Sequence, residues 1–226
     1  MHATGFPWSD QAAKPADMKL QIKDLEVKRG EETILSALNF DVSSGQAIIV
    51  RGHNGSGKST LLRAISGLLP IEAGSVLLED MDPEFAGATV PDLCHYLGGE
   101  NAMKPTMNVA ENLKFWQDFA GQPHLDVDDA LDMVGLDGLQ SVPFAHLSTG
   151  QRRRIGIARL LVSYRPIWLL DEPTSGLDAA SEKQFADLMQ VHLEDDGLII
   201  AATHIPLGLE SAPVLILGEG SGESDQ

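Results

Sequence analysis

The sequence predicts an α/β domain with a mainly parallel core sheet, on the basis of two observations. Several short runs consist wholly of apolar residues, which is typical of parallel strands because both of their faces are covered. Between these runs lie segments in which apolar residues recur at helical spacing. Strands that alternate with helices along a chain favour a parallel sheet with helices packed on it.

The strands and helices can be assigned from these patterns. Buried strands are expected at 47–50, 167–170, 198–202 and 214–217, and a half-buried strand, alternating with one slip, at 20–27. Helices are expected at 58–66, 109–119, 151–162 and 179–192. In the last helix one apolar face is formed by Phe185, Leu188, Met189 and His192. This face would pack on the sheet.

The length of the chain favours one domain. Its 226 residues are enough for a single large core, which we expect to span 18–217. Residues 1–17 are predicted to be a flexible lead-in and 218–226 an acidic tail. The segment from about 92 to 164 is mostly helical and lies between two core strands, so it is interpreted as an inserted helical subdomain.

Composition limits the class of partner and the compartment. Acidic residues outnumber basic ones by 33 to 16, a net charge of -17, so the surface repels phosphate backbones and no nucleic-acid partner is expected. The single cysteine, Cys94, excludes an internal disulfide and favours a reducing compartment. We find neither a signal peptide nor an apolar run of the roughly 20 residues that a membrane helix needs. The chain is therefore expected in the cytosol, or at a membrane through another protein.

A glycine-rich segment after the strand at 47–50 predicts a phosphate site. It matches the P-loop pattern G-x-x-x-x-G-K-[ST] and consists of Gly52, His53, Asn54, Gly55, Ser56, Gly57, Lys58 and Ser59. In this pattern backbone N–H groups surround the phosphates, Lys58 reaches the β- and γ-phosphates and the Ser59 hydroxyl ligates Mg²⁺. Thr60 can add a phosphate hydrogen bond. A plain strand-to-helix turn is the alternative, and the motif alone fits kinases and GTPases equally.

Three further side chains follow buried strands. Asp171 and Glu172 end the run IWLLDE, and His204 comes after the strand at 198–202. Ligands bind at this edge of a parallel sheet, so Asp171 is expected to hold Mg²⁺ through water. Glu172 would orient or deprotonate the attacking water, and His204 would reach the γ-phosphate. An acidic turn and a structural histidine are the alternatives.

Together with the stretch LSTGQ at 147–151 and SGLD at 175–178, these motifs resemble the nucleotide-binding subunits of ABC transporters. The resemblance covers about 18–217, and no P-loop kinase or GTPase carries this set in this order. It implies a P-loop NTPase fold of the ABC ATPase type, with an N-terminal antiparallel β subdomain and an inserted helical subdomain. It also implies ATP and Mg²⁺ as cofactors, and ATP hydrolysis coupled to transport.

The resemblance also implies partners. In this family two ATP molecules lie between two head-to-tail subunits, so a homodimer of this chain is expected. Ser148, Gly150 and Gln151 would contact the γ-phosphate of the ATP held by the partner subunit, and Asp178 would lie across the interface. A separate integral membrane permease is expected, with this chain peripheral at the cytoplasmic face of the bacterial inner membrane.

Three positions depart from the usual family pattern. Arg29 stands where an aromatic residue usually stacks on adenine, and a guanidinium can also stack on a base. Glu100 replaces the glutamine that contacts Mg²⁺ and senses the membrane partner; its carboxylate could still ligate the ion. Thr149 stands where most signatures have glycine.

Local stretches at 96–98, 110–113, 147–154 and 158–173 are most similar to the subfamily that serves haem export in cytochrome c maturation. An ATPase of another small bacterial ABC transporter, a soluble ABC ATPase without a transport role and a P-loop kinase are the alternatives. The three arginines at 152–154 are interpreted as a solvated helix start that faces a nucleotide.

Overall fold

The computed structural model of the protein describes residues 18–79, 85 and 87–218. The predicted lead-in at 1–17 and all but the first residue of the predicted acidic tail lie outside these residues. The strands are β1 (Lys19–Arg29), β2 (Glu32–Ser43), β3 (Ala47–Arg51), β4 (Ala73–Glu79), β5 (Cys94–Leu97), β6 (Ile167–Asp171), β7 (Leu198–Ala202) and β8 (Val214–Ile216). The helices are α1 (Lys58–Ile65), α2 (Val90–Leu93), α3 (Val109–Ala120), α4 (Val127–Asp132), α5 (Thr149–Leu161) and α6 (Ala179–Glu194).

The core is a five-stranded parallel sheet with the order β5-β6-β7-β3-β8. All residues of β6 and β7 are buried, as the unbroken apolar runs at 167–170 and 198–202 predict. Because β6, β7 and β3 are neighbours and parallel, the residues that follow them meet at one edge of the sheet.

Both faces of this sheet are covered. Along β7, Ile199 and Ala201 join the apolar cluster that contains α3, α4, α5 and α6. Leu198 and Ile200 join the cluster on the other face, with α1 and the inner side chains of β1. The predicted apolar face of α6 lies in the first cluster, where Phe185, Leu188 and Met189 are at most 2% exposed.

A second sheet is antiparallel and has the order β2-β1-β4. This is the N-terminal antiparallel unit that the family resemblance implies. The pairing of β1 with β2 shifts register between Ile22 and Leu25, where Asp24 has a positive φ of 48°. This irregularity accounts for the slip in the alternating pattern of the sequence.

The helical segment is inserted between β5 and β6, which are neighbours in the sheet. It contains α3, α4 and α5. Cys94–Leu97, which falls inside the segment described as mostly helical, is a strand of the core sheet. Among the described residues, no helix is both long and apolar enough to cross a membrane.

Candidate nucleotide site

The predicted phosphate loop joins β3 to the start of α1, in the strand–loop–helix order that its motif requires. Lys58 is the first residue of α1 and is 8% exposed. Its Nζ donates to the carbonyl oxygens of Gly52, at 2.7 Å, and His53, at 3.1 Å. The ammonium group is therefore held over the loop by its backbone. Ser59 and Thr60, the next residues of α1, are both half-buried.

Gly57 lies where the phosphate loop comes close to the antiparallel sheet. It is the N-cap of α1, with a left-handed φ of 96° that favours glycine. A Cβ at this position would lie 2.9 Å from Leu35 Cδ2 and 3.1 Å from Ile34 Cγ2, both on β2. The close approach of β2 is a second reason for glycine here, because an added side chain would displace Leu35 or Ile34.

The structure brings Asp171, Glu172 and His204 to the edge of the sheet at which the phosphate loop lies. Asp171 ends β6 and is 7% exposed, and Glu172 follows it with φ 44°. The Glu172 N–H donates to the Ala202 carbonyl at the end of β7 at 2.8 Å. His204 Nε2 lies 3.8 Å from Glu172 Oε1. Both side chains are partly exposed, so this contact is weak. The carboxylate is thus open to an incoming ligand.

Two residues that were not predicted as site residues, Tyr96 and Arg63, form a chain of hydrogen bonds that ends at Asp171. The Tyr96 hydroxyl, on β5, donates to Asp171 Oδ2 at 3.2 Å and accepts from Arg63 Nε at 3.2 Å. The hydrogen bond to Tyr96 raises the pKa of Arg63, and the nearby carboxylates of Asp171 and Glu100 raise it further. No local pattern identifies these residues, because their proximity depends on β5 pairing with β6.

The donor set fits Mg²⁺ when a nucleotide supplies the remaining ligands. Asp171 and Ser59 offer hard oxygen atoms, which this ion prefers. Within the described part of the chain, no three His, Cys, Asp or Glu side chains cluster as a metal site. Mg²⁺ is commonly held by one or two protein ligands together with substrate phosphates and water, so a sparse donor set suits it better than a closed protein cage.

The signature at 147–151 forms the start of α5, which begins two residues earlier than its sequence pattern indicated. Ser148 is the N-cap, and its Oγ accepts from the Gln151 N–H at 3.2 Å. In return Gln151 Oε1 accepts from the Ser148 N–H at 2.9 Å. This reciprocal capping box fixes the first turn of the helix. The first turn of a helix carries a partial positive charge that favours an anion.

The signature and the segment 175–178 line one cavity of about 290 Å³, to which Ser148, Gly150, Gln151 and Asp178 all contribute. A Cβ on Gly150 would lie 3.0 Å from the Gly176 carbonyl oxygen, so the two segments nearly touch. Asp178 is the N-cap of α6, and a hydrogen bond from the Ser181 N–H lowers its pKa. None of residues 52–60, all of which are described, lines this cavity.

The expectation of a solvated arginine run is wrong for Arg153. This residue is 4% exposed, and its guanidinium donates to main-chain carbonyls beyond its own helix. Arg152 donates to the Ala145 carbonyl and Arg154 to that of Gly135, and both are half-buried. Successive positions on a helix point in different directions, and only the middle one here points into the protein.

Arg29 and Glu100 lie on exposed segments. Arg29 is the exposed last residue of β1, next to the turn into β2. Its stacking on adenine stays a prediction. Glu100 lies between β5 and α3 and, with Ala102, lines a groove of about 1000 Å³. The apolar wall of this groove includes Trp116 and Phe119 of α3, and Phe119 is 72% exposed.

The phosphate loop, the acidic strand end and the capped signature together define a P-loop ATPase of the ABC type. The sequence model of the ABC transporter family matches residues 35–175. The chain therefore belongs to the ABC transporter family, and within it to the ATP-hydrolysing subunits.

Curated relatives indicate which group of the family this chain resembles. The chain is 56% identical to the cytochrome c biogenesis ATP-binding export protein CcmA of Brucella abortus, over 86% of this chain and 89% of that one. It is 54% identical to the protein of the same name from Mesorhizobium japonicum, over 86% of this chain and 96% of the relative. A solved dimeric structure of the ATP-binding cassette MJ0796, bound to ADP and Pi after hydrolysis, superposes with a TM-score of 0.73. At 23% identity over 88% of this chain and 94% of that one, it supports the fold.

Proposed function

We propose that two copies of this chain bind ATP and Mg²⁺ between them and hydrolyse the ATP to drive a separate membrane permease. The transporter is proposed to export haem for the assembly of c-type cytochromes. The second part rests on the relatives, which are named as export proteins of cytochrome c biogenesis.

One observation in particular supports the proposed dimer. Ser148, Gly150, Gln151 and Asp178 line a single cavity at the N-terminus of α5, and the phosphate loop of the same chain does not line it. A γ-phosphate at this helix N-terminus is therefore best supplied by the ATP on the phosphate loop of a second copy. A head-to-tail pair of subunits would use both loops and both signatures.

The reaction follows from the residues at the sheet edge. Lys58 and the loop N–H groups bind the phosphates, while Ser59 and Asp171 are the expected Mg²⁺ ligands. Glu172 accepts a proton from the attacking water, whose oxygen bonds to the γ-phosphorus. The bond from that phosphorus to the bridging β-oxygen breaks, and ADP and phosphate leave. His204 is proposed to donate a hydrogen bond to the γ-phosphate, and Glu100 to complete the Mg²⁺ surroundings.

The permease is proposed to contact the groove beside α3. Three aromatic rings, those of Phe115, Trp116 and Phe119, stand together on this helix with centroids 5.6 to 6.0 Å apart. The exposed ring of Phe119 offers apolar area to a helix from a membrane protein. Glu100 lines the same groove. Because Glu100 is also proposed to complete the Mg²⁺ surroundings, it would link the permease contact to the nucleotide. A permease bound in this groove would keep the chain at the cytoplasmic face of the inner membrane.

The test is co-expression with the membrane proteins encoded beside this chain. We expect the chain to sediment with membranes, to co-purify with one integral membrane protein and to hydrolyse ATP as a dimer. Phe119→Ser should release it from membranes while keeping its own ATPase rate. Ile216→Ser, a change at an apolar side chain of β8 that is 54% exposed, is the matched control. This variant should stay bound to membranes. A wild-type chain that stays in the soluble fraction as a monomer would contradict the proposal.

The cargo needs its own measurement. Cells that lack the chain should fail to assemble c-type cytochromes and recover when wild-type chain is supplied. Normal cytochrome assembly in those cells would assign the ATPase to a different small transporter.

A further inference from the structure

The Arg153 guanidinium connects the signature helix to the strand end that carries the catalytic machinery. Its Nε donates to the Pro173 carbonyl at 2.7 Å, and its Nη2 donates to those of Asp171, at 3.0 Å, and Glu172, at 2.7 Å. Its Nη1 donates to the Gly98 carbonyl at 2.6 Å and to Asn101 Oδ1 at 3.4 Å. One side chain of α5 thus holds three consecutive carbonyls at the end of β6, and also the loop after β5.

The residue held at the centre of this set has an unusual backbone. Glu172 has φ 44°, in the left-handed region that residues with a Cβ rarely adopt. Such a conformation persists when its surroundings determine it from several sides. For Glu172 these are the N–H bond to Ala202 and the carbonyl bond from Arg153. The direction of its carboxylate depends on both.

Only an arginine can make this set of bonds. The guanidinium is planar and presents five N–H donors in a fixed fork, whereas a lysine offers one compact ammonium. Burial lowers the pKa of Arg153 to about 10, so the group stays charged at neutral pH. Its charge is stabilised by carbonyl oxygens and by the nearby Asp171 and Glu172 carboxylates.

We propose that Arg153 is a positioning residue for ATP hydrolysis, which aims Glu172 by holding its carbonyl and couples that aim to the signature. The same helix carries Ser148 at its N-cap, so a shift of α5 when the signature meets the ATP of the partner subunit moves Arg153 with it. The bond to Gly98 extends the link to the loop that leads to Glu100 and the groove. This inference rests on the proposed catalytic role of Glu172.

The test compares Arg153→Gln and Arg153→Lys with wild type in the purified full-length chain. None of the bonds made by Arg153 reaches residues 52–60, so the affinity for a fluorescent ATP analogue and the KM should stay within twofold. We expect kcat to fall at least tenfold in Arg153→Gln. Arg153→Lys keeps the charge without the forked donors. Its kcat should lie between those of wild type and Arg153→Gln. This variant also serves if the glutamine variant does not fold.

Arg165→Gln is the matched control. Arg165 also donates to main-chain carbonyls, those of Ala120 and Tyr164, but not to the strand end. It is expected to keep kcat within twofold, even if its unfolding temperature drops. If kcat falls as far in this control as in Arg153→Gln, the effect is general destabilisation and the proposal is wrong.

A double-variant cycle separates positioning from an independent effect. If Arg153 acts through Glu172, adding Arg153→Gln to Glu172→Gln should not lower the residual single-turnover rate further. A further tenfold loss, an unchanged kcat in Arg153→Gln, or a parallel loss of ATP affinity would each overturn the inference. Failure of the proposed function is distinguishable, because the wild-type chain would then show no ATPase rate that depends on Glu172.

Discussion

The Tyr96 hydroxyl and the Asp171 carboxylate, 3.2 Å apart, join neighbouring strands at the expected Mg²⁺ ligand. The same hydroxyl accepts from Arg63, which lies on the helix that begins at Lys58. Asp171 is thus held from the side of β5 as well as by its own strand. Because it is 7% exposed, the loss of a donor would leave a buried carboxylate poorly solvated.

Tyr96→Phe is expected to weaken Mg²⁺ use. Without the hydroxyl, Asp171 loses a hydrogen bond that fixes its orientation. The Mg²⁺ concentration for half-maximal ATPase should therefore rise severalfold. Stability should fall by about 1 kcal/mol. The measurements are a Mg²⁺ titration of the ATPase and urea unfolding.

Tyr164→Phe is the control for this change. The Tyr164 hydroxyl is buried and has no hydrogen-bond partner among the described residues, so its removal should leave both quantities close to wild type. Equal Mg²⁺ titration curves for the two variants would remove Tyr96 from this role.

Glu172→Gln should keep ATP binding and trap the dimer. The amide keeps the size of the side chain but cannot accept the proton of the attacking water, so hydrolysis should slow by roughly 100-fold or more. Size-exclusion chromatography with ATP and Mg²⁺ should then show a stable dimer. A variant that hydrolyses ATP at the wild-type rate would exclude Glu172 as the base.

Gly176→Ala should impair ATP-dependent dimerisation. Gly176 has φ 81°, and an added methyl would lie 3.3 Å from Thr149 Cγ2 in the signature. The change therefore strains the backbone and pushes apart the two segments that line the cavity at the signature. In a Glu172→Gln background we expect the ATP-induced dimer to dissociate at least tenfold more readily.

Gly138→Ala is the control that separates backbone strain from the contact with Thr149. Gly138 has φ 79°, and a Cβ there would meet nothing within 4 Å. Both variants should lose about 1 to 2 kcal/mol of stability for a left-handed residue with a side chain. The prediction is contradicted if both retain the same dimer affinity.

Acid should destabilise the fold through two buried histidines. Burial lowers the pKa of His95 and of His192 to about 3, compared with about 6.5 in an unfolded chain. Below about pH 6.5 the unfolded chain takes up protons that the folded chain does not, so stability falls as pH decreases towards 3. At about pH 5 each histidine should cost about 2 kcal/mol relative to neutral pH.

His192→Phe should remove one of these contributions. The ring of His192 stacks on Trp168 with centroids 4.0 Å apart, and phenylalanine can keep that contact while no longer titrating. Urea unfolding at about pH 7.5 and about pH 5 should show a pH-dependent loss that is smaller by about 2 kcal/mol. His146→Gln, a change at an exposed side chain, should leave the loss as in wild type. The same result for both variants would contradict the assignment.

Elements with strong local patterns could be predicted from the sequence. The core strands β3, β6, β7 and β8 and the helices α1, α3, α5 and α6 lie within about two residues of their expected positions. The strands β2 and β4 were not predicted, because many of their residues are exposed or half-buried and their apolar alternation is broken. Their place in the fold depends on pairing with β1, which local sequence does not specify.

The candidate site likewise has some residues that local sequence predicts and others that it does not. Local motifs identified the phosphate loop, the acidic pair and the signature, because their chemistry requires particular residues at fixed spacing. Arg153 and Tyr96 could not be identified, since three successive arginines look alike in sequence and a strand tyrosine is unremarkable. Their importance comes from contacts with residues 18 and 75 positions away, respectively, in the chain.

The capping box at Ser148 also bears on how tightly two subunits can join in the proposed dimer. A serine hydroxyl that accepts one hydrogen bond can still donate another, so a phosphate oxygen can bind without displacing the Gln151 N–H. The signature of a lone subunit then already has the shape that the proposed phosphate contact needs. Little conformational entropy is then lost on encounter, and such preorganisation leaves more of the phosphate's binding energy for closing the dimer.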